Sequence, residues 1–444
     1  MLEKLKNNLQ AVCYEYPQLK IQFFLVKWET DFLRFYQTET NYNISKSILE
    51  LYVSVYKDQK NYSFYLANPT EDDFRERMED ALLVIDQLPP DPDFVDLEKD
   101  TRHGPEKIIK DNLHEMPLEK KINILQQFAE AIKPFHFSLY GTFICNYVTT
   151  YIVNTNGLDK IMVNSPFYFE VKAVSEINEI TVLETFGGED MDQFSLPDAI
   201  NSLVDRVQVA AQDPIDVEAG EYEVILSPRC INELLQYYAW SNLDASSIDR
   251  QDTDLIGKIG HQVFPSYFTL HDAPCHPQVV NFAYGTNGHL YEELTLFESG
   301  ILRNFFVDNY YAHKLGMLEN GNLGACLVMK PGDREIMEMF KGIKKGLYIS
   351  SFHYINFINQ RETSLTGLTR DGTFLIENEQ ITKVVHNLRF TEKITSVINN
   401  ITAIENKTHS VPISGNYHTF TITSSAMPYV RVKNFHISSS TETV

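Results

Sequence analysis

The side chains best suited to chemistry here are the 13 histidines and 5 cysteines, and their spacing decides what they can do. His271, Cys275 and His276 fall within HDAPCH and could offer two imidazoles and a thiolate to a metal. Their spacing matches none of the usual zinc patterns, and no second ligand pair stands at finger distance, so a solvated loop is the plainer reading. His261 stands apart from these three. His409 and His418 lie in an alternating stretch near the C terminus, where polar strand residues facing water compete with metal donation. No histidine occurs from residue 137 to 260, so no helix in that span can carry a histidine pair. The chain has no G-x-S-x-G, and GTNGH at 285–289 is a surface turn, not a phosphate loop. Arg370-Asp371, bracketed by Gly367 and Gly372, is the most distinctive polar pair. It reads either as cleft lining or as a bend pinned by its own hydrogen bonds.

Whole-chain properties narrow the function classes. At 444 residues the chain exceeds one ordinary core, which implies two domains. A net charge of −22 repels nucleic-acid phosphates, so no nucleic-acid partner is expected. The five cysteines (Cys13, Cys145, Cys230, Cys275, Cys326) contain no CxxC pair, which fits reduced thiols in the cytoplasm. The first thirty residues lack an apolar core, and no run approaches the roughly 18 apolar residues of a membrane helix, so no membrane association is expected. Aromatic residues make up 12% of the chain and crowd into strand-like runs, which favours a β-rich α+β fold.

The periodicity places elements in order. A short helix is expected over 1–16, then strands Ile21–Trp28, Asp31–Gln37 and Ile48–Tyr56, the last with Asn61–Ala67 as hairpin partner. Thr70 and Asp73 open a helix whose apolar stripe runs from Phe74 to Leu88, and Pro89-Pro90 stops it before a Pro/Asp-rich linker. A second helix follows Pro117 with Leu118, Ile122, Leu125, Phe128, Ala129 and Ile132 inward. A third covers Leu196–Ala211. Strands are expected at 135–153, 158–163, 167–175 and 180–186 between them. The domain boundary is placed at about residue 216, giving domains 1–215 and 216–444. Beyond it, strand Glu221–Leu226 leads into a helix with Ser227 as N-cap and Pro228 at its first position. A short helix is expected at Asp333–Lys345. Strands Leu347–Phe357, Gly372–Ile376 and Ile381–Val385 follow, the last two forming a hairpin across Asn378-Glu379.

Three segments carry a resemblance. GLTRDGTFLIEN at 367–378 with the following NLRF, LTLFESGILRNFFVDNYYAHKLG at 294–316, and Ser410-Val411-Pro412-Ile413 resemble the C-terminal domain of the TldD/PmbA family of metalloprotease-related proteins. The resemblance implies an N-terminal antiparallel sheet with amphipathic helices. It also implies a largely antiparallel, curved or barrel-like C-terminal β domain, with the Pro228–Trp240 helix near its cleft. Catalytic members carry LL-HExxxH on that helix and a cysteine ahead of the S-V/L-P-V segment; the histidines and cysteine hold a metal whose bound water the glutamate deprotonates. With Leu234-Leu235 setting register, the histidine positions fall on Gln236 and Ser241, the glutamate position on Tyr237 and the cysteine position on Ile404. Tyr238, Trp240, Arg370, Asp371 and His409 are the residues that the resemblance would place around the cleft.

None of the four degenerate positions offers the required group, and the chain therefore resembles the PmbA/TldE-like branch, whose members also lack the ligands. What this implies is a non-catalytic subunit, with no cofactor of its own. It would pair with a TldD-type metal-bearing subunit, in which zinc is expected, or form a homodimer, and would act on peptides or unfolded polypeptides. Two alternatives stand beside it. One is an active metal-dependent peptidase rebuilt around His261, His271 or His409. The other is a regulatory binding protein of the kind implied by relatives called modulators of DNA gyrase.

Overall fold

Alternation of buried and exposed side chains lays down the first layer. The computed structural model describes residues 2–104, 109, 113–415 and 420–440; His418 lies outside them. Seven antiparallel strands form the N-terminal sheet. Its path runs through Lys60–Ala67, Glu39–Lys57, Lys20–Tyr36, Phe137–Asn154, Phe167–Ser175 and Thr181–Gly188, with Asp159–Asn164 added beside Phe137–Asn154. The two strands expected at 21–28 and 31–37 are one, Lys20–Tyr36, whose register against 39–57 stays unbroken past Glu29-Thr30. No glycine or proline interrupts that stretch, so the ladder has no reason to stop.

Two pairs of helices cover this sheet. Leu2–Cys13 and Glu71–Ile85 pack Leu9, Val12, Phe74, Met78 and Ala81 onto Phe23, Leu25, Leu51 and Val53. The second of these helices starts on the expected capping box, with Thr70 and Asp73 bonded reciprocally. Leu118–Ile132 and Leu196–Ala210 pack Phe128, Ile132, Leu203 and Val207 onto Phe35, Phe143 and Phe169. The same core takes in Ile225, Tyr348 and Phe374 from the C-terminal half, so apolar packing is continuous across the chain. The linker after Pro90 is tied down rather than free. Asp91 bonds back to Gln59, and Gly104 donates to the Tyr284 hydroxyl.

The C-terminal half contains a closed five-stranded barrel. Its strands in order are Lys345–Asn359, Gly220–Leu226, Val430–Ser440, Leu388–Lys393 and Ser364–Glu377, which pairs back to Lys345–Asn359. One pairing, 220–226 with 345–359, is parallel; the rest are antiparallel. A six-stranded mixed sheet beside it holds, in order, Ile301–Leu302, Leu294–Glu298, Leu270–Asp272, Leu327–Met329, Ile422–Met427 and His409–Ser414. The hairpin at Asn378-Glu379 forms as expected, with φ of 49° and 70° as a tight hairpin turn demands.

Two local expectations are corrected. The bend expected between Gly367 and Gly372 is a bulge inside one long strand, Ser364–Glu377, and Asp371 (φ 54°) and Gly372 (φ 117°) absorb the extra length opposite Ile349–Ser351. The helix expected at Asp333–Lys345 shrinks to Ile336–Met339, because Lys345 already belongs to a barrel strand and Gly342 turns the chain at φ 83°.

Candidate functional site

The helix Pro228–Tyr238 grows from the end of barrel strand Gly220–Leu226. Ser227 caps it, accepting from the Cys230 amide at 3.2 Å and donating to the Ser350 carbonyl at 2.6 Å. Ile231, Leu234, Leu235 and Tyr238 face the barrel core, and a π-helical turn, Ala239–Leu243, extends the helix. Such turns insert one residue and re-aim the side chains beyond them.

The four positions singled out by the metal motif have settled partners. The Gln236 amide donates to Ser425 Oγ at 3.2 Å and to the Gly324 carbonyl at 3.4 Å. The Tyr237 hydroxyl donates to the Ile355 carbonyl at 2.7 Å. Ser241 is buried, donates to the Tyr237 carbonyl at 2.7 Å and accepts from Asn242 Nδ2 at 2.7 Å. Ile404 pairs with Val430 and is 6% exposed within the barrel core. A neutral amide, a phenol, a hydroxyl turned into the backbone and an aliphatic chain do not fit a zinc centre.

Among the described residues, His261, His271, His276 and His409 do not converge. His261 is exposed, and His271 meets Thr295 at 3.2 Å. Cys275 is exposed, and His276 Nδ1 accepts from the Gln278 amide at 3.3 Å. His409 Nε2 meets Glu405 Oε2 at 2.7 Å, and the Glu405 side chain is 1% exposed. Between His271 and Cys275 lies Asp272, which the sequence reading passed over. It is fully buried and accepts from Tyr291 Oη (2.7 Å), Asn322 Nδ2 (3.2 Å), and the amides of Gly324 (3.1 Å) and Cys326 (3.0 Å). Burial pushes its pKa up while the four donors pull it back. Through Gly324 this network sets the carbonyl that meets Gln236.

A cavity of about 480 Å³ opens where the N-terminal sheet edge, the helix Leu196–Ala210 and the start of the helix Pro228–Tyr238 meet. Glu184, Asp198 and Arg206 line one side; Arg229, Tyr348 and His409 line the other. Arg206 and Glu184 pair with each other across its wall. Arg206 also reaches Ser350 Oγ at 3.4 Å; Arg229 reaches Thr185 Oγ1 at 3.5 Å beside the Tyr168–Glu170 pair. Of the residues that the sequence reading placed around a cleft, His409 lines this cavity. Tyr238 is fully buried, and Trp240 is 68% exposed against Tyr237 and Phe357. Arg370 is half-buried, and its carbonyl accepts from Ser351. Asp371 binds Lys172 at 3.1 Å and Thr181 Oγ1 at 2.6 Å, joining the barrel to the N-terminal sheet.

Glu233 lies one turn beyond Arg229, and burial raises its carboxyl to about 7 while Arg229 works against the shift. Its folded pKa then exceeds its unfolded value, so the unfolded chain loses this proton first as pH rises. Stability is full below the unfolded pKa and falls through the folded one, by at most about 3 kcal/mol. Glu233→Gln should therefore stabilise the protein by about 1–2 kcal/mol near pH 8 and leave it unchanged near pH 4. Urea unfolding at both pH values measures this, and an equal effect at both would refute the burial account.

Comparison with known proteins agrees with this architecture. Residues 219–439 match the profile of the PmbA/TldA metallopeptidase C-terminal domain. A zinc metalloprotease TldD homolog of Saccharolobus solfataricus is 27% identical over 333 residues, 68% of this chain and 72% of that protein. A metalloprotease PmbA homolog of Haemophilus influenzae is 20% identical over 221 residues, and the chain spans only 48% of its length. The crystal structure of TldE from Thermococcus kodakarensis superposes with a TM-score of 0.84 at 16% identity, covering 98% of this chain and 99% of that one. A Thermotoga maritima protein described as a candidate modulator of a DNA gyrase superposes at 0.80, also at 16% identity, covering 98% of this chain and 100% of its own. With that profile lying over the barrel and the motif helix, the chain belongs to the PmbA/TldD family of metalloprotease-related proteins.

Proposed function

We propose that this chain is the non-catalytic, TldE-type subunit of a two-component peptidase. In this reading a TldD-type partner supplies the zinc and the general base, and this chain helps enclose the peptide. The observation that carries the reading is the state of the motif helix. Gln236, Tyr237 and Ser241 stand where imidazole, carboxylate and imidazole are needed, each engaged with a neighbour, and Ile404 stands at the thiolate position. Supporting it, an Arg206–Glu184 pair stands in the wall of the cavity beside the helix start, and the adjacent Cys230 thiol is fully buried with its pKa pushed up. The cavity walls offer hydroxyls and charged groups that can hydrogen-bond an extended polypeptide.

The purified full-length chain should leave an unstructured polypeptide intact with or without added zinc. Mixed with a TldD-type subunit, it should co-elute as one complex that cleaves the polypeptide and stops on chelation. Chelator-sensitive cleavage by the chain alone would overturn the reading.

A further inference from the structure

The linker beyond the helix Glu71–Ile85 carries a carboxylate into a place where two segments of the C-terminal half converge. Glu98 Oε2 lies 2.9 Å from His289 Nδ1, and Glu319 Oε1 lies 3.4 Å from the same nitrogen. All three ligand atoms fall within 4.8 Å of one another, and among the described residues no other trio of His, Cys, Asp or Glu does so. We propose that Glu98, His289 and Glu319 form a zinc-class divalent cation site that clips the linker to the C-terminal half.

The distances suit that role. Ligands about 2.1 Å from a tetrahedral ion stand about 3.4 Å from each other, close to the spacings here. One imidazole nitrogen and two carboxylate oxygens favour zinc and its transition-metal neighbours over calcium or magnesium, which take oxygen alone. A three-residue set leaves the fourth position to water. The side chains are 11%, 15% and 25% exposed for Glu98, His289 and Glu319, so two carboxylates facing each other there need a countercharge.

Each ligand is held before any ion arrives. Glu98 Oε1 accepts the Lys99 and Asp100 amides, both at 2.7 Å, which turns Oε2 toward His289. The Glu98 carbonyl is fixed by Asn154 Nδ2 at 2.8 Å. Asn287 organises the other side, accepting from the His289 amide at 3.0 Å and donating to Glu319 at 3.4 Å. Gly321, at φ +65°, is needed beside the ring, because a Cβ there would come within 2.8 Å of His289 Cδ2. The rival arrangement is a protonated His289 bridging two glutamates with no ion.

The site shares no residue with the motif helix or the cavity, so it stands or falls apart from the subunit proposal. The full-length protein, stripped with chelator, should take up one equivalent of Zn²⁺ at micromolar concentration, with a rise of a few degrees in Tm. Co²⁺ in its place should give the intense visible bands of a low-symmetry site. Glu98→Gln and Glu319→Gln preserve shape and should abolish uptake, the Tm rise and the Co²⁺ bands together. His289→Gln should do the same; if it fails to fold, the two glutamine variants still decide. No stoichiometric uptake, or uptake unchanged in the glutamine variants, overturns the site.

Discussion

Asp272→Ala is expected to lower the unfolding free energy by about 3–5 kcal/mol. The carboxylate is fully buried and is the acceptor for four donors. Without it the Gly324 and Cys326 amides and the Tyr291 hydroxyl lose their acceptor in a dry setting, while Asn322 keeps the Glu292 carbonyl at 2.8 Å. Each buried orphan of this kind costs about 1–3 kcal/mol. Asp272→Asn keeps the shape but turns an NH₂ toward donors, so about half the loss is expected. Tyr291→Phe removes the donor to Asp272 and also the acceptor of the Leu323 and Ala325 amides (3.1 and 3.2 Å), and should cost about 2–3 kcal/mol. Urea midpoints at neutral pH measure all three, and a loss under about 1 kcal/mol for the alanine variant would show that the network contributes little. The loop 322–326 should loosen in the same variant, releasing the Gly324 carbonyl from Gln236. Hydrogen exchange at Gly324 and Cys326 reads that change.

Asp31→Ala should do comparable damage in the N-terminal sheet, about 3–5 kcal/mol. Lys121 is 0% exposed, bonds Asp31 and sits 5.8 Å from the Phe143 ring. Removing the carboxylate leaves an ammonium buried without its counterion, and that desolvation dominates the loss. The double variant Asp31→Ala/Lys121→Met should recover most of the stability, because an apolar chain of similar length fills the space with no charge to solvate. A coupling of at least about 2 kcal/mol in the double-mutant cycle is expected. If the double variant is no more stable than Asp31→Ala, the damage comes from lost packing and not from the stranded charge.

Both networks show where local pattern stops being informative. On the helix Leu118–Ile132 the periodicity correctly turned Leu125, Phe128 and Ile132 inward, yet the buried face also takes in Lys121 and Ile124. A lysine at such a position reads as solvent-facing until the strand Lys20–Tyr36 brings Asp31 to it from 90 residues away. In HDAPCH the eye goes to His271, Cys275 and His276, but the residue that organises the region is Asp272, whose partners lie 19 to 54 residues downstream.

What the sequence determined alone was the α+β class, most helices and strands, the capping of the helices after Thr70 and Ser227, the hairpin at Asn378-Glu379 and the family. Those features rest on neighbours within a few residues or on motifs read in one line. The tertiary structure alone decided that strands 21–28 and 31–37 are continuous, that the Arg370-Asp371 bend is a bulge in a closed barrel, and that Glu98 meets His289 and Glu319. It likewise decided that Tyr238 packs into the core while Trp240 faces solvent. Each of these depends on ladder register or on a side chain arriving from a distant segment, and periodicity, which compares a residue only with its own near neighbours, carries no information about either.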